Sequence, residues 1–359
     1  MNKGEWSELY VFLRLLGTGK LHAADAHLNP REDFFYPVYA VRRTVGQERI
    51  DAEYRRCNEG DTVVIKAVTT ARIVSEVNAA EYVAAADLLF EKVRASKGEA
   101  SFEIPEIAHF VEKIGNPLLK SGSQNKQDVK VAVHDPVTQR RQELGFSIKS
   151  RLGGKSTLFN AAKHSTCFLY EAESAEKLSD EVFQGKKTKS LLAELAAHGC
   201  TLHYVKVEDD QFRRNIAFCD SQLDLILADL MAGYYSGLGT KITELTGLTV
   251  NKNPCGYDLS CGQPFYESKI KRFLLSVALG MTARKIWCGI YDANGGYVIV
   301  NESGNIVCYH IYNWNAFEDY LFSRTCFDTP STGRHDFGTL FTGDDGTQYL
   351  RLCMQIRFD

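Results

Sequence analysis

The chain has 359 residues, 44% hydrophobic, 24% charged and 11% aromatic, with 28 glycines, 8 prolines and a formal net charge of -3. These proportions exclude collagen, a disulfide miniature and a disordered tail, and at about 100–200 residues per domain they suggest two domains or one core with large insertions. They also exclude a uniformly basic DNA coat, while leaving room for a local basic surface. No apolar run approaches the roughly 18 residues of a bilayer span, and the start MNKGEWSELY has no signal-like apolar region, so a cytoplasmic protein without a membrane partner is expected. The ten cysteines are irregularly spaced and read as reduced thiols. Cys255 and Cys261 have no second pair or His-x-x-x-His near them, which argues against a zinc site.

In chain order, Trp6, Leu9, Tyr10, Leu13 and Leu16 recur at helical spacing and predict an opening helix that Gly17 and Gly19 stop. Residues 34–43 and 62–68 read as strands, the first broken by Pro37. An alanine-rich helix is expected over 73–95 and another over 105–114. The polar stretch KSGSQNKQ at 120–127 reads as a linker. Residues 129–133 (VKVAV) alternate, HDPVTQRRQ supplies a turn and LGFSI at 144–148 returns, which predicts a β-hairpin with a long loop. A helical piece near 156–162, a strand over 166–171 and helices near 188–198 and 210–234 follow. From 286 onward the chain reads as β-rich, with strands at 286–291, 296–300, 306–312 and 348–358. The class is mixed α and β.

Parity along the hairpin brings chemistry to one side. Val129, Val131 and Val133 share one face with Phe146 and Ile148, leaving Asp128, Ser147 and Lys149 to the other. A carboxylate is a hard ligand for Mg²⁺, which can neutralise charge on a phosphate under attack and acidify a water, and a nearby lysine can stabilise that charge. Two surface charges flanking a solvated turn would give the same pattern. On the opening helix Glu5 and Glu8 flank the apolar stripe; Glu5 suits the helix dipole, so Glu8 is the favoured ligand. Between 121 and 163 eight cationic residues, Lys126 and Lys163 among them, face three acidic ones, and a second basic stretch ends in Arg284 and Lys285. Such clusters can meet phosphates.

The order G-x-x-x-E on a first helix, then D-φ-x-φ-x-φ, a turn and φ-x-φ-x-K resembles the PD-(D/E)xK nuclease core, with Gly4, Glu8, Asp128 and Lys149 on its positions. KGEWSE at 3–8, GFSIKSRLG at 145–153, TLFN at 157–160, ALGM at 278–281, CYHIYN at 308–313, TPSTGRHDFG at 329–338 and LCMQIRF at 352–358 resemble the HpaII family of type II restriction endonucleases from end to end. The resemblance implies a restriction-endonuclease-like core, a mixed central sheet flanked by helices with large insertions. It further implies Mg²⁺-dependent cleavage of double-stranded DNA, CCGG as target, 5′-phosphate products, a homodimer on a palindromic site, and a cognate methyltransferase acting on the same sequence. The regions would then be 1–120 for the core's first helix and an inserted DNA-contacting part, 121–240 for the core and its hairpin, and 241–359 for DNA recognition.

One departure stands out: the pattern wants an acid two residues before the lysine, and Ser147 occupies that place. Glu8, Asp135 or Glu143 must then supply the second carboxylate, with Glu8 ranked first. The catalytic set is Glu8, Asp128, Ser147 and Lys149, with Asp128 and Glu8 as metal ligands. Arg151, Lys155, Thr157 and Asn160 are candidate backbone contacts, and Arg334 and His335, in a Gly-flanked loop, candidate base readers. A silent DNA-binding protein and a structure-directed repair or junction nuclease are the rival readings.

Overall fold

The computed structural model describes residues 1–359 except 26–27, 46–49, 71, 97–100, 116–126, 163, 175–187, 310–313 and 336. Nearly all of the expected linker, together with Lys126 and Lys163, lies outside the described residues. The chain is mixed α/β, and its residues form two compact units, one of 1–156 with 291–317, the other of 157–290 with 318–359.

The first unit begins with α1 (Lys3–Thr18), which a reciprocal cap starts: Asn2 Oδ1 accepts the Glu5 N–H, and Glu5 returns a bond to the Asn2 N–H. Gly19 ends it at φ 70°, where a side chain would be strained. Trp6, Leu9, Leu13 and Leu16 are buried as the spacing predicts, and Val11, Phe12 and Leu15 are buried too, so the helix is enclosed on most of its circumference. Each such large side chain contributes roughly 1.5–3 kcal/mol by leaving water. Gly17 lets α2 (Ala79–Ala95) pass alongside; a Cβ there would lie 2.7 Å from Val83 Cγ2.

A mixed nine-stranded sheet packs against these helices. Its strands include β1 (Lys20–Ala24), β2 (Pro30–Val45), β3 (Ile50–Glu59), β4 (Thr62–Thr69), β5 (Arg72–Asn78), β6 (Val129–Asp135) and β7 (Arg140–Ser150). From one end the order is β1, Ile306–Tyr309, Gly296–Val300, β7, β6, β2, β3, β4 and β5, and β1 also pairs with β2. Strand Gly296–Val300 runs parallel to β7, in register from Gly296 opposite Phe146 to Val300 opposite Ser150. That pairing is why 296–309 belongs here and not with the C-terminal region expected from 241.

Three local expectations change, the first two in this unit and the third mostly in the second. Pro37 does not break its strand: β2 runs through it, pairing with β1 up to that point and with β6 from Val38. The helix expected over 73–95 starts only at Ala79, because Ile73, Val74 and Val77 make the strand β5, and Asn78 caps α2 by accepting the Ala80 N–H. The segment 286–291, expected as a strand, is irregular.

The second unit holds two small sheets. One orders Thr201–Val207, Cys167–Glu173, Gln348–Cys353 and Leu340–Thr342; the other orders Thr325–Phe327, Ile356–Phe358 and Thr157–Phe159. The helical piece expected near 156–162 is therefore a strand, drawn into register by Ile356 opposite Phe159. The helix expected over 210–234 is two, Asp210–Cys219 and Leu223–Tyr235, divided where Asp220 Oδ1 accepts the Gln222 N–H. Among the described residues no helix is long and apolar enough to cross a membrane.

Candidate active site

The hairpin of β6 and β7 is in register with Val129 opposite Phe146, which sets Asp128, just ahead of β6, opposite Ser147. The Asp128 N–H donates to the Phe146 carbonyl at 2.8 Å. Its carboxylate Oδ2 accepts from the Ser147 hydroxyl at 3.1 Å and from the Ile148 N–H at 2.7 Å. Among the described residues Oδ1 accepts no hydrogen bond, and it remains available to a cation.

Lys149 follows two residues after Ser147, on the same face of β7. Its ammonium lies 5.3 Å from the centre of the Tyr297 ring, and Tyr297 is the parallel-register partner of Ser147. Burial pushes the Lys149 pKa below the ordinary lysine value, and the carboxylates of Asp128 and then Glu8 oppose that shift. Both acids thus act on one lysine, one from the hairpin and one from α1. The hydroxyl of Ser7, beside Glu8, donates to the Ser150 hydroxyl at 2.7 Å and joins α1 to the end of β7.

Gly145 makes this arrangement possible. Its N–H donates to Asn294 Oδ1 at 2.8 Å and its carbonyl accepts the Gly295 N–H at 2.7 Å, so the turn before the parallel strand lies flat on β7. A Cβ at 145 would come within 2.7 Å of the Asp292 carbonyl oxygen.

The three candidates for the missing acid are now distinguishable. Asp135 is fully buried and serves the turn, accepting from the Val137 N–H at 2.8 Å and the Thr138 hydroxyl at 2.6 Å. Glu143 pairs with Arg42 at 3.1 Å. Glu8 is the one whose charge is felt at Lys149. Ser147 is 2% exposed, and its hydroxyl is turned to Asp128.

Arg43 and Tyr297 were not singled out in the sequence. Arg43, on β2, lies over the Phe12 ring at 5.7 Å, and Phe12 shares a helix face with Glu8 four residues earlier. Burial lowers the Arg43 pKa and Glu8 counters it. The strand at 296–300 was expected, but its placement beside β7 depends on a pairing 150 positions away.

The DNA-contact candidates divide between the units. In the first, Arg151 is exposed, with its N–H on the Val300 carbonyl and its guanidinium 3.9 Å from Glu302, and Lys155 is exposed. In the second, Thr157 is half-buried opposite Arg357, and Asn160 is exposed. Arg334 and His335 end a short helix, Thr332–His335, where a loop was expected. The hydrogen bond of Ser147 to Asp128 and the charges of Asp128 and Glu8 acting on Lys149 tie together Glu8, Asp128, Ser147 and Lys149, but none of these six.

Among the described residues no cluster of three or more His, Cys, Asp or Glu stands ready for a metal. Two carboxylates suffice for a hard divalent ion that keeps waters and takes substrate phosphate as ligand, and Asp128 Oδ1 with Glu8 suits that role.

A family model described as HpaII restriction endonuclease matches residues 2–358. The type II restriction enzyme HpaII of Haemophilus parainfluenzae is 37% identical over 358 residues, covering 99% of this chain and 98% of its own. No solved structure matches. The class is thereby defined as a site-specific deoxyribonuclease, a hydrolase that cleaves double-stranded DNA at a particular sequence. Enzymes of this class generally use divalent metal ions. The chain belongs to the HpaII restriction endonuclease family.

Proposed function

We propose that this enzyme hydrolyses duplex DNA at CCGG with Mg²⁺, through a PD-(D/E)xK core in which Asp128 and Glu8 hold the ion and Lys149 faces the scissile phosphate. The observation that carries the reading is the convergence of the Asp128 and Glu8 charges on a half-buried lysine. When bound, the ion would supply Lewis-acid neutralisation of the phosphate and a more acidic water. Ser147 and the Ile148 N–H fix the Asp128 carboxylate through Oδ2, leaving Oδ1 directed by two anchors. Lys149, beside the two acids, orients the attacking water and stabilises charge on the phosphoryl oxygens. In-line attack leaves a 5′-phosphate and a 3′-hydroxyl. Thr157, Asn160, Arg151 and Lys155 are assigned to the DNA backbone. A palindromic target favours a homodimer with one site per strand, and a companion methyltransferase would protect the same sequence.

Digestion of phage DNA in Mg²⁺ and sequencing of the ends tests the assignment. Cuts confined to CCGG with 5′-phosphates support it. Cuts at another fixed sequence would overturn the target but keep the chemistry, and tight binding without cutting would return the silent-binder reading.

A further inference from the structure

We infer that Arg284, Arg334 and His335 form a phosphodiester-binding site within the second unit, with Arg284 a DNA contact that lies outside every motif carrying the family resemblance. The inference rests on the reading that Arg334 and His335 meet DNA, and it adds the partner residue and the part of the DNA they hold.

Arg284 sits on an irregular segment that is nonetheless anchored. Asn215, 2% exposed, donates through Nδ2 to the carbonyls of Thr282 at 3.0 Å and Lys285 at 2.7 Å, and its Oδ1 accepts the Trp287 N–H at 3.2 Å. This clamp presents an exposed Arg284 side chain, whose Nε donates to the Ser165 hydroxyl at 3.4 Å.

A chain of contacts brings the other arm to the same end of the four-stranded sheet. Phe337 is buried with its ring against Tyr235, centroids 6.0 Å apart, and the Tyr235 hydroxyl donates to the Cys353 carbonyl at 2.8 Å. Cys353 Sγ is 3.3 Å from the Thr166 hydroxyl, and Ser165 precedes it. The helix Thr332–His335, just ahead of Phe337, therefore ends at the same end of the sheet as Ser165, which holds the Arg284 guanidinium. Burial, then the charges of Arg334 and Arg284, hold the His335 pKa below the ordinary histidine value. Its Nδ1 is buried with no hydrogen-bond partner among the described residues.

Two guanidiniums that bear on one imidazole repel each other, and among the described residues no carboxylate pairs with either arginine. An anion relieves that repulsion. A phosphodiester offers two acceptor oxygens to the planar donor forks of arginine, and this enzyme's substrate is a polymer of phosphodiesters.

The test is fluorescence anisotropy in Ca²⁺ with duplexes containing and lacking CCGG, over a salt series. Arg284→Ala and Arg334→Ala should each weaken both duplexes alike and lower the slope of log affinity against log salt by about 0.9, the value for one released phosphate contact. Arg284→Lys, which keeps the charge, should retain the slope; a folding defect would not show that rescue. Unchanged slopes overturn the site, as does a loss confined to the CCGG duplex, which would mark base reading. Lys149→Ala is run in parallel: it should keep the slope and lose cleavage. If it cleaves normally the hydrolytic reading fails, while the salt slopes still decide this site.

Discussion

In the first unit the ionic groups of the site answer one another, Asp128 and Glu8 both bearing on Lys149, and Glu8 on Arg43 as well. In the second, Arg284 and Arg334 stand exposed, with no carboxylate paired to either among the described residues. The first arrangement suits chemistry, in which charges must be balanced and fixed before a phosphate enters. The second suits holding, in which unbalanced positive charge draws in a polyanion. The contrast teaches that substitutions in the two units should separate rate from affinity.

The largest effect expected is that of Asp128→Asn. Losing the ion's anchor removes several kcal/mol of transition-state stabilisation, so single-turnover cleavage in Mg²⁺ should fall by more than about a thousandfold. If cleavage survives, the chemistry does not belong to this hairpin. Lys149→Ala comes next: at least about a hundredfold slower cleavage, with duplex affinity in Ca²⁺ retained. Comparable losses of affinity and rate would erase the distinction between the units.

Gly145→Ala probes the support of the site. The new methyl group meets the Asp292 carbonyl, and overpacking of that kind costs about 1–3 kcal/mol, measurable as a lower denaturant midpoint. An unchanged midpoint would show that the turn yields freely. The smallest effect expected is that of Ser147→Ala, which removes one of two anchors on Asp128 Oδ2. It should raise the Mg²⁺ concentration for half-maximal cleavage by about tenfold, the lower end for losing a group that orients a metal ligand, and leave the rate at saturating Mg²⁺ nearly intact. An unaltered Mg²⁺ requirement with a lower saturating rate would place the serine in the chemical step.

Much of the first unit could be read from local pattern. The 3.6-residue spacing of Trp6, Leu9, Leu13 and Leu16 reports a buried helix, and the two-residue period of Val129, Val131 and Val133 reports a strand facing it. Both are short-range signals. The start of α2 was misjudged because Ile73, Val74 and Val77 continue an apolar pattern that either period accommodates, and the cap at Asn78 decides between them. Pro37 misled for a different reason: it falls where β2 exchanges one neighbour for another, a tertiary event without a local mark. The site follows the same division. Asp128, Ser147 and Lys149 were legible from hairpin parity. Arg43, Tyr297 and the Asn215 clamp under Arg284 were not, since each depends on partners far away in the chain.

The parallel strand beside β7 has a consequence for the newborn enzyme. Phe146 and Gly296 are partners, yet the ribosome, at about 5–20 residues per second, spends roughly 8–30 s travelling from one to the other. Throughout that interval the nascent polypeptide carries both acids and the lysine but not the tyrosine ring or the flanking backbone that brace them. A DNA-cutting protein built this way completes its blade only after residue 297 of its 359 has been made.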